Sequence, residues 1–223
     1  MNKLLVIWKK YSYIFLFLVV IAGMFDSRVA LVVTICMVGP IIVSLFRGRF
    51  WCGNICPRGS FFDNIVKKFS KHKKVPSFLK SYYFRILVII VMMTIFTLGI
   101  RKNLGNIYGI GMVFYRMIVI TTVIGLVLAL FINERTWCNF CPMGTIAALI
   151  TKLRKNKKNL KVSSKCVSCG ICEKKCPMGI SAYEYKGSEI TDPDCIQCLR
   201  CELSCPKNAI GIEIEDESEE IKK

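Results

Sequence analysis

Apolar residues dominate four stretches of the chain, roughly 11–25, 29–46, 82–100 and 111–132, while polar and basic residues collect between them. Each stretch approaches the ~20 residues an α-helix needs to cross ~30 Å of hydrocarbon, which predicts four membrane-crossing helices. Trp8, Tyr11, Tyr82, Tyr83 and Tyr108 flank these stretches as interfacial anchors. Lysines precede the first stretch as they would a secretory signal, yet no small-x-small cleavage site follows and three more spans do. It is expected to be an uncleaved anchor.

Just past the second and fourth stretches the chain repeats itself. Residues 51–59 read WCGNICPRG and residues 137–144 read WCNFCPMG. Arg49 aligns with Arg135, Trp51-Cys52 with Trp137-Cys138, Cys56-Pro57 with Cys141-Pro142, and Gly59-Ser60 with Gly144-Thr145. A basic stretch with helically spaced apolar residues follows each motif, predicting two helices on the lipid headgroups with Ser60 and Thr145 as N-caps. The first 150 residues thus read as an α-helical membrane bundle of two pseudo-repeated hairpins. Both motifs follow even-numbered spans, so they share one membrane face whichever way the chain is inserted.

Beyond residue 150 the pattern changes. A basic linker, 151–165, leads into a cysteine-dense segment, 166–214, and a charged tail, 215–223. SAYEYKGSEITD is expected to form a hairpin turning at Lys186-Gly187, and AIGIEIE alternates like a strand.

Composition strengthens the membrane reading: 53% of the 223 residues are hydrophobic, 21% are charged and the mean hydropathy is +0.46. The net charge of +17, from 32 Lys and Arg against 15 Asp and Glu, lies mainly before the first span and between the second and third. Positive-inside bias then places both termini and the central loop in the cytoplasm of a multi-pass inner (cell) membrane protein. Nucleic acid is not needed to explain the excess and is not expected as a partner.

The cysteines carry the chemistry. Cys166, Cys169, Cys172 and Cys176-Pro177 give C-x2-C-x2-C-x3-C-P, and Cys195, Cys198, Cys201 and Cys205-Pro206 repeat it. This is [4Fe-4S] spacing, in which three thiolates from one tight loop grip one cube. Zinc sites space their pairs by long intervals, and a cytoplasmic compartment disfavours disulfides. At the membrane edge the duplicated motifs offer four more thiolates, Cys52, Cys56, Cys138 and Cys141, enough for a third iron–sulfur cluster of unspecified nuclearity. A thiol redox pair, bound copper or zinc, or a site completed by another subunit are the competing readings. No haem is expected, since the only histidine, His72, lies outside the spans.

Smaller features remain open. Arg49 and Arg135 either balance the charge of a thiolate cluster or contact phosphate headgroups. Cys36 reads as a small residue packed in mid-span, Arg116 as a snorkelling arginine, and Met92, Met93, Met112 and Met117 as packing material.

Residues 163–214 resemble the bacterial two-cluster ferredoxin fold, a small α+β domain. The resemblance implies that the fourth cysteine of each run crosses over, so that Cys166, Cys169, Cys172 and Cys205 hold one cube and Cys195, Cys198, Cys201 and Cys176 the other. Ile171, Ile180, Ile196 and Ile210 would wrap them. The whole chain resembles the membrane polyferredoxins of the NapH, MauN and NosR type, without the large extracytoplasmic flavin domain or flavinylation motif of the last. That resemblance implies an electron-transfer subunit linking a cytoplasmic redox protein with the quinone pool or a flavin-binding partner. Its alternative is a metal-centre maturation factor, such as a copper reductase.

Overall fold

The computed structural model describes residues 3–153 and 159–212. Most of the basic linker's charge and the whole charged tail lie outside the described residues. Among the described residues four helices are long and apolar enough to cross a membrane: α1 (Lys3–Phe25), a continuous Ser27–Arg47 segment whose 3-10 start (Ser27–Val33) runs into α2 (Thr34–Arg47), and, later, the segments Tyr82–Lys102 and Ile107–Phe131. They span 23, 21, 21 and 25 residues; at ~1.5 Å per residue even the shortest covers about 31 Å. The first starts well before the apolar stretch does, because Lys9 turns inward and donates to the Asn54 side chain and the Cys198 carbonyl instead of ending the helix.

The turns are fixed by polar caps. Asp26 accepts from the Arg28 amide at 2.9 Å and so starts the 3-10 segment. Between the spans, the central region forms α3 (Phe50–Asn54), α4 (Pro57–Asn64) and α5 (Ser77–Lys80) before α6 (Tyr82–Lys102). Asn106 accepts from the amides of Tyr108 and Gly109 and starts α7 (Ile107–Phe131). Ser27 donates to the Tyr108 carbonyl at 2.8 Å, joining the turn after α1 to the turn before α7, and Gly111 lets the Ser27 backbone lie directly on α7.

After α7 come α8 (Thr136–Phe140) and α9 (Pro142–Leu153), the counterparts of α3 and α4. Neither α4 nor α9 is the headgroup helix its periodicity predicts. Phe62 and Val66 are buried with Ala129, Trp137 and Phe140, and Ala147 and Ala148 are buried too, so both helices pack inward on protein. Nor do Ser60 and Thr145 cap them. Proline occupies the first helical position, where its missing N–H costs nothing, and this moves Ser60 one turn inward to donate to the Lys9 carbonyl.

The C-terminal part is built on a three-stranded antiparallel sheet ordered β2-β1-β3, from β1 (Lys161–Val162), β2 (Ser188–Glu189) and β3 (Ile210–Gly211), with two short helices, α10 (Ile171–Lys175) and α11 (Arg200–Leu203). Gly187 does turn the chain, with φ +74°, but the expected hairpin does not form across it. Residues Ala182–Tyr185 are a 3-10 helix, and β2 pairs with β1, Val162 facing Ser188. Ile180, Ile196 and Ile210 are buried as expected, whereas Ile171 is 37% exposed because it opens α10 on the outer surface.

A branched side chain at Gly111 overlaps the Ser27 carbonyl. Gly111→Val is therefore expected to destabilise the bundle by about 1–3 kcal/mol. Gly105→Ala, at an open turn with φ +91°, is expected to cost about 1 kcal/mol. Thermal unfolding midpoints in detergent should rank the two in that order.

Candidate metal centres

Each membrane-edge motif folds the same way. Arg49 and Arg135 precede the five-residue helices α3 and α8, which carry Cys52 and Cys138. The second cysteine of each motif then leaves in an extended conformation, Cys56 at φ −60°, ψ 118° and Cys141 at φ −55°, ψ 128°, and the next residue is a helix-starting proline. That conformation puts each thiol at a helix N-terminus, where free amides and the helix dipole favour a thiolate. A backbone hydrogen bond from Gly59 acts on Cys56 in this sense, although burial dominates and pushes that thiol up.

The two motifs are locked by an exchange of arginines. Arg49 donates Nη2 to the Cys138 carbonyl at 2.6 Å, and Arg135 donates Nη1 to the Cys52 carbonyl at 2.8 Å. Glycine is required at the crossing points: a Cβ on Gly59 would stand 2.7 Å from Arg135 Nη1, and one on Gly144 would stand 2.6 Å from Arg49 Nη2. Both arginines are 1% exposed, so phosphate headgroups do not reach them. Their counter-charges are Asp194 at 2.9 Å from Arg49 and Asp63 at 2.7 Å from Arg135.

Those carboxylates also dock the C-terminal part. Asp194 receives a two-pronged bond from Arg85 at 2.9 and 2.6 Å. Arg200 bridges Asp63 at 2.8 Å and Glu134 at 2.6 Å. Bonds to main-chain carbonyls complete the seam: Asn54 donates to the Gln197 carbonyl at 3.1 Å and the Lys80 ammonium to the Met178 carbonyl at 2.6 Å. A Cβ on Gly53 would overlap the Ile196 carbonyl.

Burial alone would protonate Asp63 and Asp194, yet both carboxyls lie below the ordinary value, Asp63 through Arg135 and Arg200, Asp194 through Arg85 and Arg49. The thiols show the opposite balance: burial pushes Cys52 up to about 12 against the pull of Arg49, and does the same to Cys195 and Cys201. Each is a thiol until something cationic replaces its proton.

Around the four membrane-edge thiols, Arg58 donates to Cys141 Sγ at 3.5 Å and Arg135 to Cys138 Sγ at 3.6 Å. Cys56, Cys138 and Cys141 all bear electrostatically on Cys52. Four arginines of this region (49, 85, 135 and 200) share three carboxylates (Asp63, Asp194 and Glu134), and a fifth, Arg58, faces Cys141, an excess that suits thiolates. The sequence reading missed Arg58, Arg85, Asp63, Glu134, Asp194 and Arg200. Arg85, a lone charge at the start of an apolar span, was the available signal; Arg58 was masked because its counterpart in the repeat is Met143.

In the C-terminal part the eight cysteines fall into two sets around two small cavities. One cavity is lined by Cys166, Cys169, Cys172 and Cys205, the other by Cys176, Cys195, Cys198 and Cys201. Left-handed residues recur at matching places in the two runs, Ser168 and Gln197 at φ 52° and 49°, Gly170 and Leu199 at 73° and 65°, Gly179 and Asn208 at 68° and 48°. They curl each loop so that amides reach sulfur, as Ser168 N does to Cys166 Sγ at 3.5 Å and Ala209 N to Cys205 Sγ at 3.4 Å. All thirteen cysteines are free. Among the described residues no three His, Cys, Asp or Glu converge tightly enough for a lone metal ion. Thiolates around a cube each bind a different iron and stand further apart than ligands of one ion. Cys36 is not isolated: it lines the same interhelical cavity as Cys56 and Cys141.

The comparisons with known proteins agree with this division. A 4Fe-4S binding domain model matches twice, over residues 29–76 and 115–161, and a 4Fe-4S dicluster domain model matches residues 165–210. Two uncharacterised proteins of Methanocaldococcus jannaschii are 28% and 29% identical, each over 65% of this chain and over 57% and 65% of their own lengths. The methylamine utilization ferredoxin-type protein MauN of Methylobacillus flagellatus is 28% identical over 63% of this chain and 54% of its own length. The chain thus spans between about half and two thirds of these relatives. No solved structure matches it.

Asp63→Asn leaves Arg135 and Arg200 without their shared counter-charge, and is expected to cost about 3–5 kcal/mol, read as a lower unfolding midpoint and faster amide exchange over residues 195–201. Because the Asp63 and Asp194 carboxyls lie below their ordinary value of 3.8, their contribution is complete above about pH 4 and lost as the pH falls through the lower folded values. Amide protection across the seam should therefore stay level from pH 7 to about 5; a decline within that range would contradict this placement of the charges.

Proposed function

From the fit of this chain to the membrane polyferredoxins, we propose that it carries electrons between a cytoplasmic redox protein and the membrane, delivering them to or taking them from quinone or a flavin-binding partner subunit. Residues 166–214 form its two-cluster ferredoxin-like domain. One [4Fe-4S] cluster takes Cys166, Cys169, Cys172 and Cys205, the other Cys176, Cys195, Cys198 and Cys201. The two cavities, each bordered by one of these sets with its crossed-over fourth cysteine, support the assignment. When bound, the clusters supply one-electron exchange; the chain's own part is to hold thiolates, aim amides at sulfur and exclude water.

A third cluster sits between the duplicated hairpins on Cys52, Cys56, Cys138 and Cys141. The single observation that carries this reading is the arginine exchange, which fixes both motifs against each other and leaves Arg58, without a carboxylate among the described residues, against Cys141. Gly53, beside Cys52, lies against the Ile196 carbonyl and the Cys198 amide, and Lys9 and Asn54 bond the Cys198 and Gln197 carbonyls, so the order of carriers runs from the Cys166 cluster, through the Cys195 cluster, to the membrane edge. Both termini and the central loop face the cytoplasm, as the lysines in the N-terminal part of α1 and those preceding α6 favour.

The test is iron and acid-labile sulfide content with EPR on anaerobically purified protein. Replacing Cys52 and Cys138 together by Ala is expected to remove one cluster's iron and signal while two ferredoxin-type signals persist; an unchanged iron count would eliminate the membrane-edge cluster. Cysteine labelling of right-side-out and inverted vesicles, using single cysteines placed at Lys71 and Leu104, should mark the first only from the cytoplasmic face and the second only from outside.

A further inference from the structure

Arg116 lies within the membrane-spanning part of α7 and is exposed. It follows Tyr108, the interfacial ring at the start of the helix, by eight residues, which places it about 12 Å further along the span. An extended arginine side chain covers roughly half of that distance. The packing of its neighbours fixes the direction it faces. Tyr115 lies against Gly23 of α1 and Val113 against Gly99 of α6, so Arg116 occupies the face that opens between those two helices. Ile120, Val123 and Val127 continue this face at steps of four, three and four residues and are 57%, 54% and 48% exposed. The buried positions of α7, Gly111, Phe114, Thr121, Gly125 and Ala129, lie on the opposite side.

Other cations of these helices are met or stand at the water boundary. Arg85 of α6 is held by both oxygens of Asp194, and Lys9 of α1 by the Asn54 side chain and the Cys198 carbonyl. Arg101 and Lys102 stand in the last turn of α6. Arg116, by contrast, makes no hydrogen bond, ion pair or ring contact among the described residues. The bundle has none to offer it, because no Asp or Glu occurs in any of the four spans. For the same reason the spans of a second copy bring only another arginine to that depth. A guanidinium in hydrocarbon is costly, and ionisable groups within spans pair with one another. Charge complementarity therefore asks for an Asp or Glu on a helix from outside this bundle.

We propose that the Arg116 face of α7 docks one membrane-spanning helix of a different protein. That helix supplies a carboxylate about 12 Å beyond the level of Tyr108 and packs its apolar side along Ile120, Val123 and Val127. Branched side chains repeating at alternate steps of four and three residues form the ridge on which a second helix seats. The inference does not depend on the electron-carrier reading, since it follows from charge, depth and spacing alone.

The experiment uses the full-length protein in its native membranes, with the photoreactive residue benzoylphenylalanine in place of Val123. A control carries it in place of Ile42, which is 52% exposed on α2. Mass spectrometry of the adducts at position 123 is expected to find one span of another protein, bearing Asp or Glu at the facing depth, and not to find that span at position 42. Arg116→Met should lower the yield of this adduct about tenfold, the loss of one charge-assisted hydrogen bond. Arg116→Glu combined with Arg in place of the partner's acid should restore it, which an incidental neighbour would not do. In detergent, away from any partner, Arg116→Met should leave the thermal unfolding midpoint where it is. Adducts with lipid alone, adducts with a second copy of this chain, or a protein adduct indifferent to Arg116→Met would overturn the proposal. A lower midpoint for the isolated variant would do so too, by placing the arginine's partner within the chain.

Discussion

Two guanidinium groups with almost no access to water hold the molecule together. An arginine removed from solvent is costly unless its charge and its hydrogen-bond donors are both met, and the penalty for removing a partner exceeds anything a surface ion pair can supply. Arg49 and Arg135 meet this demand, but for the unpaired Nε of Arg49, by reaching across to the opposite hairpin's cysteine carbonyl while each keeps a carboxylate on its other side. The hairpins cannot separate without stranding both charges. Glycine at positions 59 and 144 follows from the same demand, because any side chain there would occupy the path of the guanidinium.

From this constraint the placement of the C-terminal part follows. Asp194, the carboxylate of Arg49, stands immediately before Cys195, and Arg200 lies between Cys198 and Cys201. The charges that satisfy the membrane motif are thus threaded through the second cysteine run itself. The loop that lines one of the two C-terminal cavities is also held through its own carbonyls, by Asn54 of α3 at Gln197 and by Lys9 of α1 at Cys198. An electron carrier needs its centres at fixed separation, and a seam made of shared carboxylates and main-chain bonds gives a stiffer geometry than apolar packing alone.

Much of this was readable before any coordinates. Unbroken apolar runs announce the four long helices, since length and hydropathy suffice for that inference, and the spacing of the cysteines announces three thiols of each C-terminal set, the fourth, crossed-over cysteine being implied only by the resemblance to two-cluster ferredoxins. The polar seam was not readable. Asp63, Glu134 and Arg200 look like ordinary surface charges in the chain, and only a tertiary fold reveals that they are partners. The periodicity of α4 and α9 was real, but a helical apolar face does not say whether lipid or protein covers it, and here Phe62 and Val66 are covered by Ala129, Trp137 and Phe140. The missed strand, β1, is two residues long, too short for any alternation to register.

The arginine exchange also orders the protein's birth. Arg135 is separated from the Cys52 carbonyl by 83 residues, and Asp194 from Arg49 by 145. The first hairpin therefore leaves the ribosome with its cysteine loop lacking a clamp until Arg135 has been translated, and with its own guanidinium lacking a counter-ion until Asp194 has, at the start of the second C-terminal cysteine run. A product truncated before Arg135 carries only Cys52 and Cys56 of the membrane-edge set, and so has no finished receptacle in which to trap metal.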